Sequence, residues 1–490
     1  MGKKICLGIF SFILAGATVF FGIQFVTKTG VFKVPGELIF ADEVLDSEAE
    51  AIRKLFEVPE GEKKIVLDKD LIIHKTFENE KLAKDNYYLR EIYLPTADFY
   101  ATETEIDVAE LRDRFEEGDE SVVPVEKLSS DVKLLAVDGE YYLDEFDRGA
   151  LFEYLVVEGE SEEDLALFRE LITPTLPDFP ETQSVLTLTQ TGVTALSRRM
   201  NGKLSQVEDG AYFAENIGEF LKSFDLTHTS NESSFTDLAT TANICSKWGF
   251  VDTLTAIGLD IVELTGNHNV DCGATAAIET IDKYDELGIK TVGGGRNATE
   301  AAEQLEIGKK GTQITFLAYN QSTGGATTGD TPGANQYYPV QARQEIEEAK
   351  ARGDVVIVDV QYYECNEYDY SYEVTTCDYA DSSAGDQVGV FRSLIDAGAD
   401  VVVGTAAHQT QTYERYGEGE IYYGLGNLFF DQVWWPGTTR SLGLTHYFWN
   451  GKLLQTRKFG TVYDDTYQTR LMNDDELAWF INRLNEARED

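Results

Sequence analysis

The sequence predicts an α/β fold, a three-layer α/β sandwich over about residues 184–460. Continuous apolar runs recur as strands: VLTLTQ (185–190), IVELTGN (261–267), TQITFLAY (312–319), DVVIVDVQYY (354–363) and DVVVG (400–404). Stretches with helical spacing of apolar residues separate them: NIGEFLKSF (216–224), AAIETIDKYDELG (276–288), VQARQEIEEAKARG (340–353) and GVFRSLIDAGA (389–399). Gly288, Gly353 and Gly398 stand where glycines close helices. Strands that are apolar throughout need cover on both faces, and intervening helices supply it. The strand segments 185–190, 261–266, 314–319 and 355–360 are therefore expected to share one sheet.

The N-terminal half reads differently. Ile5 to Val26 carries no charge, and about 20 apolar residues suffice to cross a bilayer as a helix. Lys3 and Lys4 precede the run, which predicts a cytoplasmic tip (1–4), a retained transmembrane signal anchor (5–26) and an extracytoplasmic bulk at the cell membrane. A cleaved signal peptide is the alternative. Residues 37–180 mix strand-like runs, IVLDKDLIIH (65–74) and VKLLAVDGEYYL (132–143), with helical ones, AEAIRKLF (49–56) and EEDLALFRELI (162–172). They form a separate small α/β domain. Its end is marked by TPTLPDFPETQ (173–183), where three prolines interrupt regular structure. Residues 461–490 are a tail ending in a helix over 474–487, capped by Asn473 or Asp474.

Lys and Arg total 41 against 86 Asp and Glu, a net charge of −45. A field of that sign repels nucleic acid, which is excluded as a partner. Hydrophobic residues make up 42% of the chain, enough for large cores and too many for a disordered protein. None of the five cysteines sits in a close-spaced zinc pattern. Cys365 and Cys377 flank one short tyrosine-rich loop and are the expected pair if the chain meets an oxidising compartment; buried free thiols are the alternative.

In a sheet of parallel strands, functional residues gather beyond the C-terminal strand ends. The turns there read TGVTALSRR (191–199), THTSNESSF (227–235), GNHNVDCG (266–273), YYECNEY (362–368) and TAAHQTQTYE (405–414). Three of the five histidines, His228, His268 and His408, fall in them. Imidazole is the commonest nitrogen ligand of transition metals; Glu232, Asn267 and Asp271 add oxygen donors. Each also has a plainer reading. A histidine at a strand end is usually hydrogen-bonded in the core, Asp271 can cap the next helix, and Glu232 can be one more surface acid.

The order of motifs resembles the CapA-type capsule-synthesis family, which is metallophosphatase-like. GNHNVDCG is similar to the family's N-N-H-x-x-D-x-G turn. GIKTVGGGRNATEA matches its G-x-G-x-N-x-x-E-A segment, GTAAHQTQTYERY its G-x-H-P-H-x-x-Q-x-x-E-x-Y, and IYYGLGNLFFDQ its I-x-Y-S-L-G-N-F-x-F-D. The resemblance spans about 184–435. It implies either a subunit of capsule or poly-γ-glutamate synthesis and export without catalysis, or a metal-dependent hydrolase or transferase acting on a phosphoester or an anionic cell-surface polymer. The partners it implies are the membrane, the polymer and other synthesis or export subunits.

Departures from the family pattern are equally plain. Thr191-Gly192-Val193 stands where the family has a metal-binding Asp, and of that motif only Arg198 fits. The first His of G-x-H-P-H is Ala406, and the His of H-W-G-x-E-Y is missing. What carries over is Glu232, Asn267, His268, His408 and Asn427. The resemblance therefore implies catalytic roles for Asn267, His268 and His408. It allows one divalent metal on Glu232, His268 and His408, with His228 as a substitute ligand. It does not allow a bimetallic centre. Tyr363 or Gln361 is expected in the place of the lost His, and Thr191 or Thr194 in that of the lost Asp.

Overall fold

The computed structural model describes residues 36–489 apart from 42–43, 57–66, 68, 78–86, 322–323 and 363–385, together with short pieces before 36. The expected anchor is described only in part, with Ser11–Leu14 and Ala17–Phe20 as paired extended segments; the rest of it lies outside the described residues. No helix among the described residues is long and apolar enough to cross a membrane. Tyr363, Cys365 and Cys377 also lie outside them.

The chain divides into two compact units. The first comprises residues 1–96, 105–128 and 135–179. Its strands Tyr87–Asp98, Leu151–Gly159, Leu71–Thr76 and Leu38–Phe40 lie in that order in one sheet. Helices Asp46–Leu55 and Glu162–Ile172 bury Ile52, Leu165 and Phe168 with Ile73, Leu155 and Val157 of the strands. The strand expected over 132–143 is largely irregular, with only Val132–Leu134 and Ala136–Val137 extended.

The second unit comprises 180–490 with the short segments 97–104 and 129–134. Its main strands are β1 (Leu186–Thr194), β2 (Leu226–Asn231), β3 (Ile261–Glu263), β4 (Lys290–Val292), β5 (Leu305–Lys309), β6 (Thr312–Asn320), β7 (Val355–Gln361), β8 (Val401–Gly404), β9 (Tyr413–Tyr416), β10 (Gly419–Tyr422), β11 (Asn427–Phe429), β12 (Arg440–Trp449) and β13 (Lys452–Val462). The longer helices are α1 (Arg199–Val207), α2 (Ala274–Leu287), α3 (Pro339–Arg352), α4 (Gln387–Asp396) and α5 (Asp474–Glu489). Gly288 and Gly353 close α2 and α3 with φ of 77° and 88°, in the left-handed region that glycine enters at little cost. The Asn473 side chain accepts from the Glu476 backbone N–H at 2.9 Å and caps α5.

The strands do not share one sheet. One sheet runs β4-β3-β2-β1-β12-β13, with β11 beside β1; the other runs β5-β6-β7-β8-β10-β9. Segments 185–190 and 261–266 thus belong to one sheet and 314–319 and 355–360 to the other, which corrects the three-layer expectation. The layers are helix, sheet, sheet, helix. Alternation along the strands shows why. Leu186, Leu188, Leu226 and Ile261 of the first sheet meet Ile314, Phe316, Val355, Ile357, Val401 and Val403 of the second in one inner core. Val262 and Leu264 face outward with Met200, Leu254 and Ile281. Val356, Val358 and Val402 face outward with Ile346, Ala349 and Phe391. Apolar residues on both strand faces demand two covers, and for each sheet one cover is the other sheet.

Candidate functional site

The parallel strands of both sheets end on the same side, and their turns form a polar rim. Glu232 follows β2 and is 1% exposed. The turn after β3 approaches it closely: a Cβ on Gly266 would lie 2.9 Å from Glu232 Cα, so only glycine permits this packing. At the end of β7 the Gln361 amide Nε2 donates to Glu232 Oε1 at 3.3 Å and to Asn267 Oδ1 at 3.1 Å. Its Oε1 accepts from the Thr405 hydroxyl after β8 at 3.3 Å. Gln361 is one of the two residues expected in the place of the family's lost histidine; the other, Tyr363, lies outside the described residues.

His268 is tied to its own loop. Its Nδ1 lies 2.7 Å from Asp271 Oδ2, and the two side chains are 30% and 42% exposed. Asp271 orients that ring instead of capping α2, whose first residue follows Gly273. His408 lies 2.8 Å through Nδ1 from Asn427 Oδ1. Because the Asn427 amide nitrogen donates to Thr438 O at 3.0 Å, its oxygen faces the ring. Nδ1 therefore carries the proton and His408 Nε2 is left as an acceptor. Gly192 lets β11 bring Asn427 against β1, since a Cβ there would meet Gly426 O at 2.0 Å.

Arg198 fastens this corner. Its Nε donates to Asp431 Oδ1 at 3.0 Å, and its guanidinium lies 4.4 Å from the centre of the Phe430 ring, which packs on His408. Arg198 therefore positions the FFD turn. Thr194 bonds Thr229 side chain to side chain at 3.0 Å, and Thr191 donates to His228 O at 2.9 Å. Neither hydroxyl can replace a carboxylate as a cation ligand.

Among the described residues no group of three or more His, Cys, Asp or Glu is arranged to hold a metal ion. Glu232, His268 and His408 are not brought together as a ligand set. The expectation that all three follow one sheet is also corrected, because His408 follows β8 of the second sheet while the others follow the first. His228 is no strand-end residue: it lies inside β2, 1% exposed, and cannot substitute as a rim ligand.

His228 belongs instead to a sealed polar layer beneath the rim that sequence reading missed. Alternate inner-face positions continue Leu188 to Gln190, Leu226 to His228, Ile261 to Glu263, Ile357 to Asp359 and Leu444 to His446. Gln190 Nε2 donates to Asp359 Oδ1 at 2.6 Å, and His446 Nε2 lies 3.3 Å from Gln190 Oε1. His228 Nε2 is 3.0 Å from Asp359 Oδ2, near enough for attraction though out of line for a hydrogen bond. Burial and then the neighbouring Asp359 push Glu263 up to about 7. Burial, with His228 adding to it, pushes His446 down to about 3. Period-2 counting along the strands could have found the layer: each member sits two residues beyond an apolar inward residue.

A disulfide joins Cys245 to Cys272, 27 positions apart in sequence, with Cα atoms 5.9 Å apart. It staples the loop after β2 to the turn that carries His268. The clue available in sequence was that both cysteines lie beyond the ends of successive strands.

Against this geometry, comparison with known proteins gives a consistent picture. A model of the family described as bacterial capsule synthesis protein PGA_cap matches residues 187–432, half of the chain. The capsule biosynthesis protein CapA of Bacillus anthracis is 27% identical over 183 residues, 36% of this chain and 41% of that protein. The PGA biosynthesis protein CapA of Bacillus subtilis (strain 168) is 28% identical over 200 residues, 40% of this chain and 49% of that protein. A probable polyglutamine synthesis accessory protein of Mycobacterium tuberculosis is 24% identical over 264 residues, 49% of this chain and 65% of that protein. The chain thus spans less than two thirds of these relatives. A solved structure, TT1561 of Thermus thermophilus, aligns over 59% of this chain and 99% of its own at 9% identity, with a TM-score of 0.29, too slight a likeness to argue from. With the family model covering half of the chain and every rim loop from Glu232 to Asn427, the chain belongs to the bacterial capsule synthesis protein family PGA_cap.

Proposed function

We propose that the chain is a CapA-like accessory protein of capsule or poly-γ-glutamate synthesis and export, acting by binding rather than catalysis. The observation that carries this reading is the rim itself. Its shape is kept by Gly266, Arg198, Asn427 and the Cys245–Cys272 disulfide. The turn where the family has a metal-binding Asp reads Thr191-Gly192-Val193, and the first His of G-x-H-P-H is Ala406. What survives is a surface of amides, hydroxyls and imidazoles suited to hydrogen-bonding a polymer of amides and carboxylates. Two sheets with helices outside, and the order of the motifs, support a metallophosphatase-like ancestry for this unit.

The same reading places the bulk outside the cytoplasm, held by a signal anchor over 5–26. The uncharged run after Lys3 and Lys4 supports it, as does a disulfide, which persists in oxidising compartments. The partners are then the membrane, the polymer and the other synthesis or export subunits. Protease added to intact cells should digest the second unit; protection until lysis would overturn the topology.

A second reading has one observation in its favour. The exposed His268–Asp271 pair is built as an acid–base dyad, as a hydrolase or transferase acting on a phosphoester or an anionic surface polymer would use. The purified chain, mixed with poly-γ-glutamate and separately with a phosphodiester probe, separates the two. The binding role predicts retention of the polymer at unchanged length and an intact phosphodiester. Because the net charge of −45 repels a polyanion, retention should improve as salt is raised from low ionic strength. Polymer shortening or phosphodiester hydrolysis, lost in His268→Ala, would establish the enzyme.

A further inference from the structure

We infer that Gln361 fills, with its own amide nitrogen, the place between Glu232 and Asn267 that a cation would take, so that this chain's rim site is built to work without a metal. The inference rests on the rim being the binding site proposed above, although its test needs no polymer.

The donor set argues it. Glu232 Oε1 and Asn267 Oδ1 both accept from one nitrogen, Gln361 Nε2, at 3.3 and 3.1 Å. The sense of this amide follows from its partners. One end faces two oxygen acceptors, and the other accepts from the Thr405 hydroxyl at 3.3 Å. An amide NH2 presents two positively polarised hydrogens, one for each oxygen, so the side of both oxygens that would face a shared ion faces an N–H instead. A divalent ion bound there would need both oxygens at about 2.0–2.6 Å and the amide gone. Gln361 is 3% and Glu232 1% exposed, so neither can swing into solvent to make room. Of the neighbouring imidazoles, His268 and His408 each commit Nδ1, to Asp271 and Asn427 in turn, and His268 Nε2 lies 3.4 Å from the Asn267 amide nitrogen. A neutral amide here gives Glu232 a hydrogen-bond partner in the place where a cation would otherwise pair with it.

Isothermal titration of Mn2+, Zn2+ and Mg2+, each alone, into the chelator-treated full chain tests this, with the melting temperature as a second readout. So acidic a chain binds cations diffusely, so the signal is one saturable equivalent, judged against Glu232→Gln. Wild type should show no such equivalent and no metal-dependent rise in Tm beyond that of Glu232→Gln. Gln361→His removes the amide and adds an imidazole beside Glu232 and Asn267, and should acquire a saturable site that Glu232→Gln then abolishes. One equivalent on the wild type, lost with Glu232→Gln, would overturn the inference. Silence in both wild type and a folded Gln361→His would overturn the role given to Gln361, because something else would then exclude the metal. Polymer retention by the wild type is read separately and does not enter either outcome.

Discussion

The rim and the polar layer beneath it are made of the same residue types, yet they differ in every physical respect. Both contain two histidines, an amide and carboxyl groups. In the rim His268 and Asp271 are 30% and 42% exposed; in the layer His228 and Asp359 are 1% and 0% exposed. Water solvates the first pair and screens it, whereas the second has only its neighbours. A buried polar group without its partner costs its full desolvation, so the layer is a matter of stability, while the rim is the region proposed to bind. The residue type alone does not distinguish them. Position along the strand does: inner-face sites before the strand end are sealed between sheets, whereas the loops beyond it run from buried Glu232 to the half-exposed His268–Asp271 pair.

The largest expected effect breaks the layer. Asp359→Ala leaves Gln190 Nε2 without its 2.6 Å acceptor and His228 without its carboxyl. The cost should be about 3–5 kcal/mol, read as a fall in the urea midpoint. Asp271→Ala in the rim serves as the control. A similar loss in both variants would erase the distinction between the regions.

Reducing the Cys245–Cys272 disulfide tests whether the rim depends on its staple. A loop closed across a sequence separation of 27 corresponds to about 3.5 kcal/mol in the chain-entropy view. Cys245→Ser together with Cys272→Ser should lower Tm and loosen the 266–273 turn, seen as faster amide exchange there than in β6. Unchanged exchange would mean that Gly266 packing holds the turn unaided.

Titration sharpens the comparison further. Glu263 is held protonated up to about 7 by burial and then by Asp359, while an unfolded glutamate loses its proton near 4.5. Its contribution is therefore complete below about 4.5 and is lost as pH rises through about 7. Glu263→Gln keeps an oxygen for the Thr265 N–H and hydroxyl and cannot ionise. It should be more stable than wild type by about 1–3 kcal/mol at pH 8 and equal to it near pH 4.5. His446 behaves oppositely. With its folded value pushed down to about 3 by burial and then by His228, its stabilisation is present above about 6.5 and is lost as pH falls toward 3. His446→Gln should flatten the acid limb. Identical pH–stability curves for wild type and both variants would show that the layer does not titrate as its burial requires.

The smallest expected effect lies in the rim. Asp271→Ala, at an exposed ion pair, should change stability by less than about 1 kcal/mol, yet it should weaken polymer retention by releasing the His268 ring. A large stability loss with unchanged retention would reverse the roles assigned to the two regions.

Much of this was legible in the amino-acid order. Local chemistry produced the strand and helix runs, the glycines after α2 and α3, and the Asn473 cap of α5, because each depends on neighbours within a few residues. The motif turns around Glu232, Asn267, His268, His408 and Asn427 were legible for the same reason. The rest was settled in three dimensions. Apolar strands call for cover on both faces without saying whether a helix or a second sheet supplies it, so one sheet was expected where two are packed together. Period-2 alternation carried His228 inward to Asp359, 131 residues away in sequence (359 − 228), and brought Cys245 to Cys272. A sequence states which groups need partners; only the packing of the two sheets decides which groups those partners are, because burial, and with it the cost of an unmet polar group, exists only once the chain has folded.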